Sequence, residues 1–410
     1  MPLPHAFPTR SDSARGAVRG GRHLRASRRL LARALVVILG VALLGALGAS
    51  SAAAFGTVDF IGQHREHEMI TRVALQCGNE RGRPILPPNC FQPATLDNVA
   101  GKKGSFGAVG APDDIPMHLH QDKEYWHCDN TDYADRDVYG FRGDYAQSRA
   151  RAIRILRACV EWARDMLYRG GKNKWSFPIA TPNWGAIDTA RTLIKGNGRA
   201  DASNPGVGMF SPTCTYNGVR GLRPKCNVLE SWGYVLHMAE DFYSHTNWAD
   251  LQGPGRASFT NPIGLGNTEP APFLDLTRSW VAADDVPPNF TGGCFPRKRC
   301  EGRIVHGEGP DDPGLNKDKG TINPFNGLVT DPTTPRGKIV VDRKSNMQRA
   351  VDVAVLEVRR QWRIFRLELL RTYPQNGMKM ICVLTLDRAE ACDDPGVLRI
   401  LAERQAGLRG

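Results

Sequence analysis

Apolar residues recur at intervals of three and four in five stretches of this chain, and each stretch predicts an amphipathic helix. The first spans residues 64–75. The second, 145–168, sets Ala152, Ile155, Leu156, Cys159, Trp162, Ala163 and Met166 on one stripe. A shorter one covers 184–194. The fourth, 227–248, has an apolar arc of Leu229, Trp232, Val235, Leu236, Ala239, Phe242 and Tyr243. The fifth starts at a Ser345 or Asn346 N-cap and runs to Leu370, with Val351, Ala354, Val355, Val358, Trp362, Phe365 and Leu369 inward. Residues 78–140, 197–225 and 250–344, rich in Gly, Pro and Asn, read as long loops. Strand-type patterning is scarce, and its best instance is 337–341. The expectation is an all-α fold whose long loops carry function. With no repeat or low-complexity linker after residue 54, residues 55–410 read as one domain.

The first 54 residues have a different pattern. Eight arginines between Arg10 and Arg33 precede the apolar run 34–48 and the small residues 49–54. That order is a cleaved export signal, and a run of about 15 apolar residues falls short of a membrane span. Ser27-Arg28-Arg29-Leu30-Leu31 also has the twin-arginine form, so export by the general or the twin-arginine route is expected. The expected product is a secreted protein with no stable membrane anchor. Without this segment the net charge falls from +12 to +5, too mild an excess to argue for nucleic acid. All ten cysteines follow residue 54, and an even number in an exported chain reads as disulfides. Pairing neighbours gives Cys77–Cys90, Cys128–Cys159, Cys214–Cys226, Cys294–Cys300 and Cys382–Cys392.

The fourth helix carries the chemistry. His237, Asp241 and His245 stand at steps of four and share one face with Glu230, Tyr234, Ser244 and Trp248. No Lys or Arg occurs between residues 227 and 248, so a helix buried on both sides with ligands inward fits better than a solvated face. Imidazole plus carboxylate is a donor set that suits zinc. A second cluster holds His64 and His67, the latter beside the apolar residues Ile70, Val73 and Ala74. A third holds Asp113, Asp114, His118, His120 and His127, with His127 next to a disulfide cysteine. His306 is the last histidine.

In that order the clusters resemble the zinc-dependent phospholipase C and P1-type nuclease superfamily. The resemblance is strongest to heterokaryon-incompatibility C-type proteins and secreted actinobacterial CinY-like proteins. It implies an all-α bundle around up to three Zn2+ ions. The matching positions are Phe55 as the new N-terminal aromatic, then His67, Asp113, His127, and His237-x-x-x-Asp241 followed by His245. Leu315-Asn-Lys-Asp-Lys319 and 331–336 extend the likeness to the CinY-like proteins. Two departures stand out. His245 comes earlier than the family's following histidine, and the late His-x-x-x-Glu or Asp pair is missing: four residues after His306 stands Pro310. Glu308, Asp311 and Asp318 are the candidates to replace its carboxylate.

The resemblance implies hydrolysis of a phosphodiester, with Asp113 as the catalytic group on the attacking water. Phe55, His67, His127, His237, Asp241, His245 and His306 are the expected metal ligands. Glu240 or Glu68 is expected to set imidazole tautomers. Phospholipid is the expected substrate ahead of nucleic acid, for which Tyr125, Trp126 and Trp248 are the candidate stacking platforms. The alternatives are a non-catalytic secreted metal-binding protein that keeps the fold, and a P1-like nuclease.

Overall fold

A computed structural model describes residues 55–57, 59, 63–80, 83–102, 105–113, 126–171, 181–203, 214–295, 299–307 and 312–406. Ten α-helices and three two-stranded hairpins lie among them. In chain order the helices are α1 (Glu66–Leu75), α2 (Pro93–Ala100), α3 (Gly107–Gly110), α4 (Arg136–Tyr139) and α5 (Arg149–Tyr168). Then come α6 (Ala186–Ala190), α7 (Pro224–His245), α8 (Asn346–Thr372), α9 (Gly377–Thr385) and α10 (Pro395–Ala406). The hairpins pair β1 (Gly78–Glu80) with β2 (Arg83–Ile85), β3 (Thr321–Ile322) with β4 (Val329–Thr330), and β5 (Val340–Val341) with β6 (Lys344–Ser345). The chain is therefore mostly helical, with long irregular connections.

The five expected helices are present, and their ends follow local chemistry. Ser345 caps α8 by accepting from the Gln348 amide at 3.1 Å, and Ser148 caps α5 through the Arg151 amide at 3.3 Å. Pro224 stands in the first turn of α7, where its missing N–H costs nothing. The expected 184–194 helix is shorter: α6 tightens into a 3-10 turn at Arg191–Leu193. Only Val340 and Val341 of the expected 337–341 strand pair, because Thr334 holds residues 337–338 in a turn through its hydroxyl and carbonyl. Helices α2, α3 and α4 replace part of the expected 78–140 loop.

Helix α7 is the axis of the core: it packs against α8, α3, α6 and α5, and every residue from Lys225 to His245 is buried. Trp232 stacks on Phe91 at 5.5 Å and leans on Trp362 at 5.2 Å, while Phe242 stacks on Phe290 at 5.7 Å. Burial of each such ring contributes roughly 1.5–3 kcal/mol. Gly233 lets α3 lie directly on α7, since a Cβ there would stand 2.2 Å from the Ala108 carbonyl oxygen. All five expected disulfides form, with Cα separations from 5.0 to 5.8 Å. Cys128–Cys159 ties the turn after residue 126 to α5. Among the described residues no helix is long and apolar enough to cross a membrane. The expected export segment, residues 1–54, lies outside the described residues.

Candidate metal centre

Three groups of buried side chains could each hold a metal ion: His67, His237 and Asp241; Asp113, His127 and His237; and Asp129, His245 and His306. Within each group the candidate ligand atoms lie within 4.8 Å of one another. The polar face of α7 supplies the first two through His237 and Asp241, and the third, two turns further, through His245. In the first group His67 of α1 stacks on His237, with ring centroids 4.4 Å apart. Its Nδ1 lies 2.6 Å from Glu240 Oε2, and Thr71 Oγ1 donates to the other Glu240 oxygen at 2.7 Å. That leaves His67 Nε2 facing Asp241 Oδ1 at 3.1 Å, with no hydrogen bond to either atom. The Phe55 ring lies edge-on to His67 at 6.1 Å, and the Gly56 carbonyl accepts from the His67 amide at 3.1 Å.

His237 is oriented by α3. Its Nδ1 lies 3.0 Å from the Val109 carbonyl oxygen, so Nε2 is turned inward, 3.1 Å from Asp241 Oδ2 and 3.6 Å from Asp113 Oδ1. His127 approaches from the disulfide-tied turn, with Nδ1 2.6 Å from Asp241 Oδ2 and 3.3 Å from His237 Nε2. Asp241 thus faces three imidazoles with two oxygens.

The third group brings His306 together with His245 and Asp129. His245 Nδ1 sits 2.9 Å from Asp129 Oδ1, and the His245 and His306 rings meet edge to face at 4.0 Å. Neither nitrogen of either ring makes a hydrogen bond, and the Gly307 backbone lies beside His306 without the geometry of one. Gly293 makes room for this strand of chain, since a Cβ there would stand 2.4 Å from the His306 Cα. Asp129 was not among the sequence candidates. Its only sequence signal is its place two residues after His127, across the disulfide cysteine. Cys128 has φ 56°, and the tight turn sends His127 and Asp129 to different groups.

Other candidates are elsewhere. His64 is half-exposed and pairs with Asp59 at 3.6 Å, away from the groups. Glu68 does not touch an imidazole: Arg65 and Arg72 hold it at 3.2 and 2.9 Å. Asp318 is not in the third group; the charges beside its carboxylate are Lys319 and Asp241. Trp126 and Trp248 are core residues rather than stacking platforms: Trp126 packs on Trp162 at 5.8 Å, and Trp248 donates to the Glu269 carbonyl at 2.8 Å. Asp114, His118, His120, Tyr125, Glu308, Pro310 and Asp311 lie outside the described residues.

The electrostatics divide the groups. Burial works against protonating His67 and His127. The Asp241 carboxylate, with Glu240 acting on His67, outweighs it: His67 is raised well above the usual histidine range and His127 to about 9. Burial also disfavours the Asp241 carboxylate, yet the His237 and His67 charges hold it well below the usual range. The first two groups therefore draw positive charge. In the third, burial lowers His245 and His306 to about 3, so both are neutral and ready to donate lone pairs, and burial raises Asp129 to about 6. Burial likewise raises Asp318 to about 7 and Glu66 to about 8.

Buried polar groups are normally hydrogen-bonded, and unsatisfied ones call for an explanation. The unbonded buried atoms include a concentration at these groups, namely His67 Nε2, Asp241 Oδ1, Asp113 Oδ2, Asp129 Oδ1 and both nitrogens of His245 and His306, while others, such as Asp250 Oδ1 and both Asp318 oxygens, lie outside them. Mixed imidazole and carboxylate donors in threes are what a zinc site with an open position requires. No family model, curated protein or solved structure matches the chain.

Proposed function

We propose that residues 55–410 form a single-domain, exported, zinc-dependent phosphodiester hydrolase of the phospholipase C and P1-nuclease kind. The observation that carries this reading is three adjoining buried groups of facing imidazole and carboxylate atoms, several of which, in the first and third groups above all, make no hydrogen bond. Five disulfides suit an oxidising compartment. In this reading His67, His127, Asp129, His237, Asp241, His245 and His306 hold the ions, and Phe55, freed by cleavage after Ala54, adds its backbone beside His67.

Bound zinc supplies Lewis acidity, which acidifies water and neutralises phosphate oxygens. The protein supplies orientation. Glu240 holds His67 at Nδ1 and the Val109 carbonyl holds His237 at Nδ1, so both present Nε2 inward. Asp113 Oδ2, buried and unbonded, is the acceptor for the proton of the attacking water. Burial of the groups keeps bulk water out, and only His127, 18% exposed, opens toward solvent. Phospholipid is preferred to nucleic acid as substrate, because two of the three candidate stacking platforms, Trp126 and Trp248, are packed in the core.

The same burial favours a second reading, an exported protein that keeps its ions for structure alone. Metal analysis together with hydrolysis of phosphatidylcholine and single-stranded DNA separates the two. The expected result is two or three zinc ions and chelator-sensitive phosphatidylcholine hydrolysis. Zinc without turnover of either substrate supports the structural protein. Equal zinc in wild type and Asp241→Ala would remove the α7 motif from the centre.

A further inference from the structure

Asp318 lies on no helix, belongs to none of the three groups, and is nevertheless fully buried. Neither of its carboxylate oxygens makes a hydrogen bond of full geometry, although the Asn316 side chain lies beside them. The connection that carries it is tightly held. The Leu315 and Asn316 amides donate to the Val305 and His306 carbonyls at 3.1 and 2.8 Å. The Asp318 amide donates to Asn316 Oδ1 at 3.0 Å. Lys317 turns away, its Nζ donating to the Thr246 and Leu315 carbonyls at 2.8 and 2.6 Å and pairing with Asp250 at 3.2 Å. The Gly320 amide then donates to Glu66 Oε1 at 3.0 Å, at the start of α1 and one residue before His67. Pinned at both ends, the loop cannot relieve Asp318 by swinging it into water.

The charged and polar groups around this carboxylate are Lys319, the Asn316 amide, Asp241 and Glu66. Glu66 is already satisfied, since its oxygens accept from the Gly56, His64 and Gly320 amides at 3.0 Å each. Among the described residues, two further carboxylates beside Asp318 and a single neighbouring lysine leave the pocket short of positive charge. A buried carboxylate kept in this state needs a cation or a strong donor.

We propose that Asp318 is a positioning carboxylate of the first metal group, holding from outside the ligand set the cation bound by His67, His237 and Asp241. It would add negative charge beside the ligands of that cation from outside the ligand set. Outer carboxylates of this kind change metal affinity by about 10–100-fold. The inference rests on the zinc reading above.

The test uses zinc alone as probe, with the mature protein and its Asp318→Asn variant, which keeps size and shape. Two measurements are made: zinc affinity by chelator competition, and thermal midpoint in the metal-free and zinc-loaded forms. The expected result is about 10–100-fold weaker binding of one ion together with a higher midpoint for metal-free Asp318→Asn than for metal-free wild type. The variant removes a charge that Lys319 and the Asn316 amide offset only in part, whereas a merely structural role would lower the midpoint in both forms. Unchanged zinc affinity, or a lower midpoint of the metal-free variant, overturns the inference and leaves the centre standing. Wild type that takes up no zinc overturns the centre itself, and the inference with it.

Discussion

Asp241 has two oxygens and three histidine neighbours: Oδ1 faces His67, and Oδ2 faces both His127 and His237. Removing it touches the first two groups at once, because His237 is common to them and Asp241 aligns it. His306 serves only the third. Asp241→Asn is therefore expected to lose the ions of the first two groups and keep that of the third, whereas His306→Gln loses only the third. Zinc per protein chain, measured by elemental analysis, distinguishes them; equal losses would mean the groups are not separable. At this scale the sequence was informative where spacing is local. Steps of four on one helix put His237, Asp241 and His245 on a common face, and His67 announced itself by adjoining an apolar stripe. Asp129 was illegible because its partners, His245 and His306, are more than a hundred residues away. Glu68 and Glu240 looked alike as tautomer-setting carboxylates, and only the fold gives one to Arg65 and Arg72 and the other to His67.

Helix α7 carries two further testable features, one at its middle and one at its start. At Gly233 the Ala108 carbonyl leaves no room for a methyl group, and the next residue, Val109, orients His237. Gly233→Ala is expected to push α3 off α7, lowering stability by about 1–3 kcal/mol and weakening zinc binding through His237. Chemical denaturation and chelator competition read the two effects. At the other end, Lys225 is buried with Nζ donating to Thr95 Oγ1 at 2.8 Å and the Leu386 carbonyl at 2.7 Å. Burial lowers its pKa from 10.5 to about 7, against the opposing charge of Asp387. Between those values the unfolded chain holds the proton and the folded chain does not, so stability rises with pH across the window. Below about pH 7 both states are protonated and the full penalty applies. Lys225→Met is expected to stabilise the protein at pH 6 by a few kcal/mol, on the order implied by that shift, and less at pH 9. Denaturant midpoints at the two pH values check the sign. The long helices were legible because their stripes repeat over several turns. Helices α2, α3 and α4 are only one or two turns long and present too little periodicity. Helix α9 is an unbroken apolar run, Met380 to Leu384, with no polar face to set a period.

For the whole molecule the question is what holds the groups together. The contacts that build them span most of the described chain: His67 to Glu240, His127 to Asp241, His237 to Val109, and Gly320 back to Glu66. Sequence order alone could list these stretches but not close them on one another, which is why the helical class and disulfide pairs were readable and the metal geometry was not. The same separation has a thermodynamic consequence. An unfolded chain brings none of these donors together, so on the zinc reading the ion binds the folded state and stabilises it by mass action. At free zinc about a thousandfold above the dissociation constant, each site contributes about 4 kcal/mol. Chelation of residues 55–410 is therefore expected to lower the thermal midpoint by roughly 10–15 °C for two or three ions, with the disulfides intact, and readded zinc should restore it. Asp241→Asn should show a smaller shift, since only the third group still responds. A midpoint indifferent to chelator in wild type would mean that the facing imidazoles and carboxylates are held by packing alone. The metal centre would then be wrong at the scale of the whole fold.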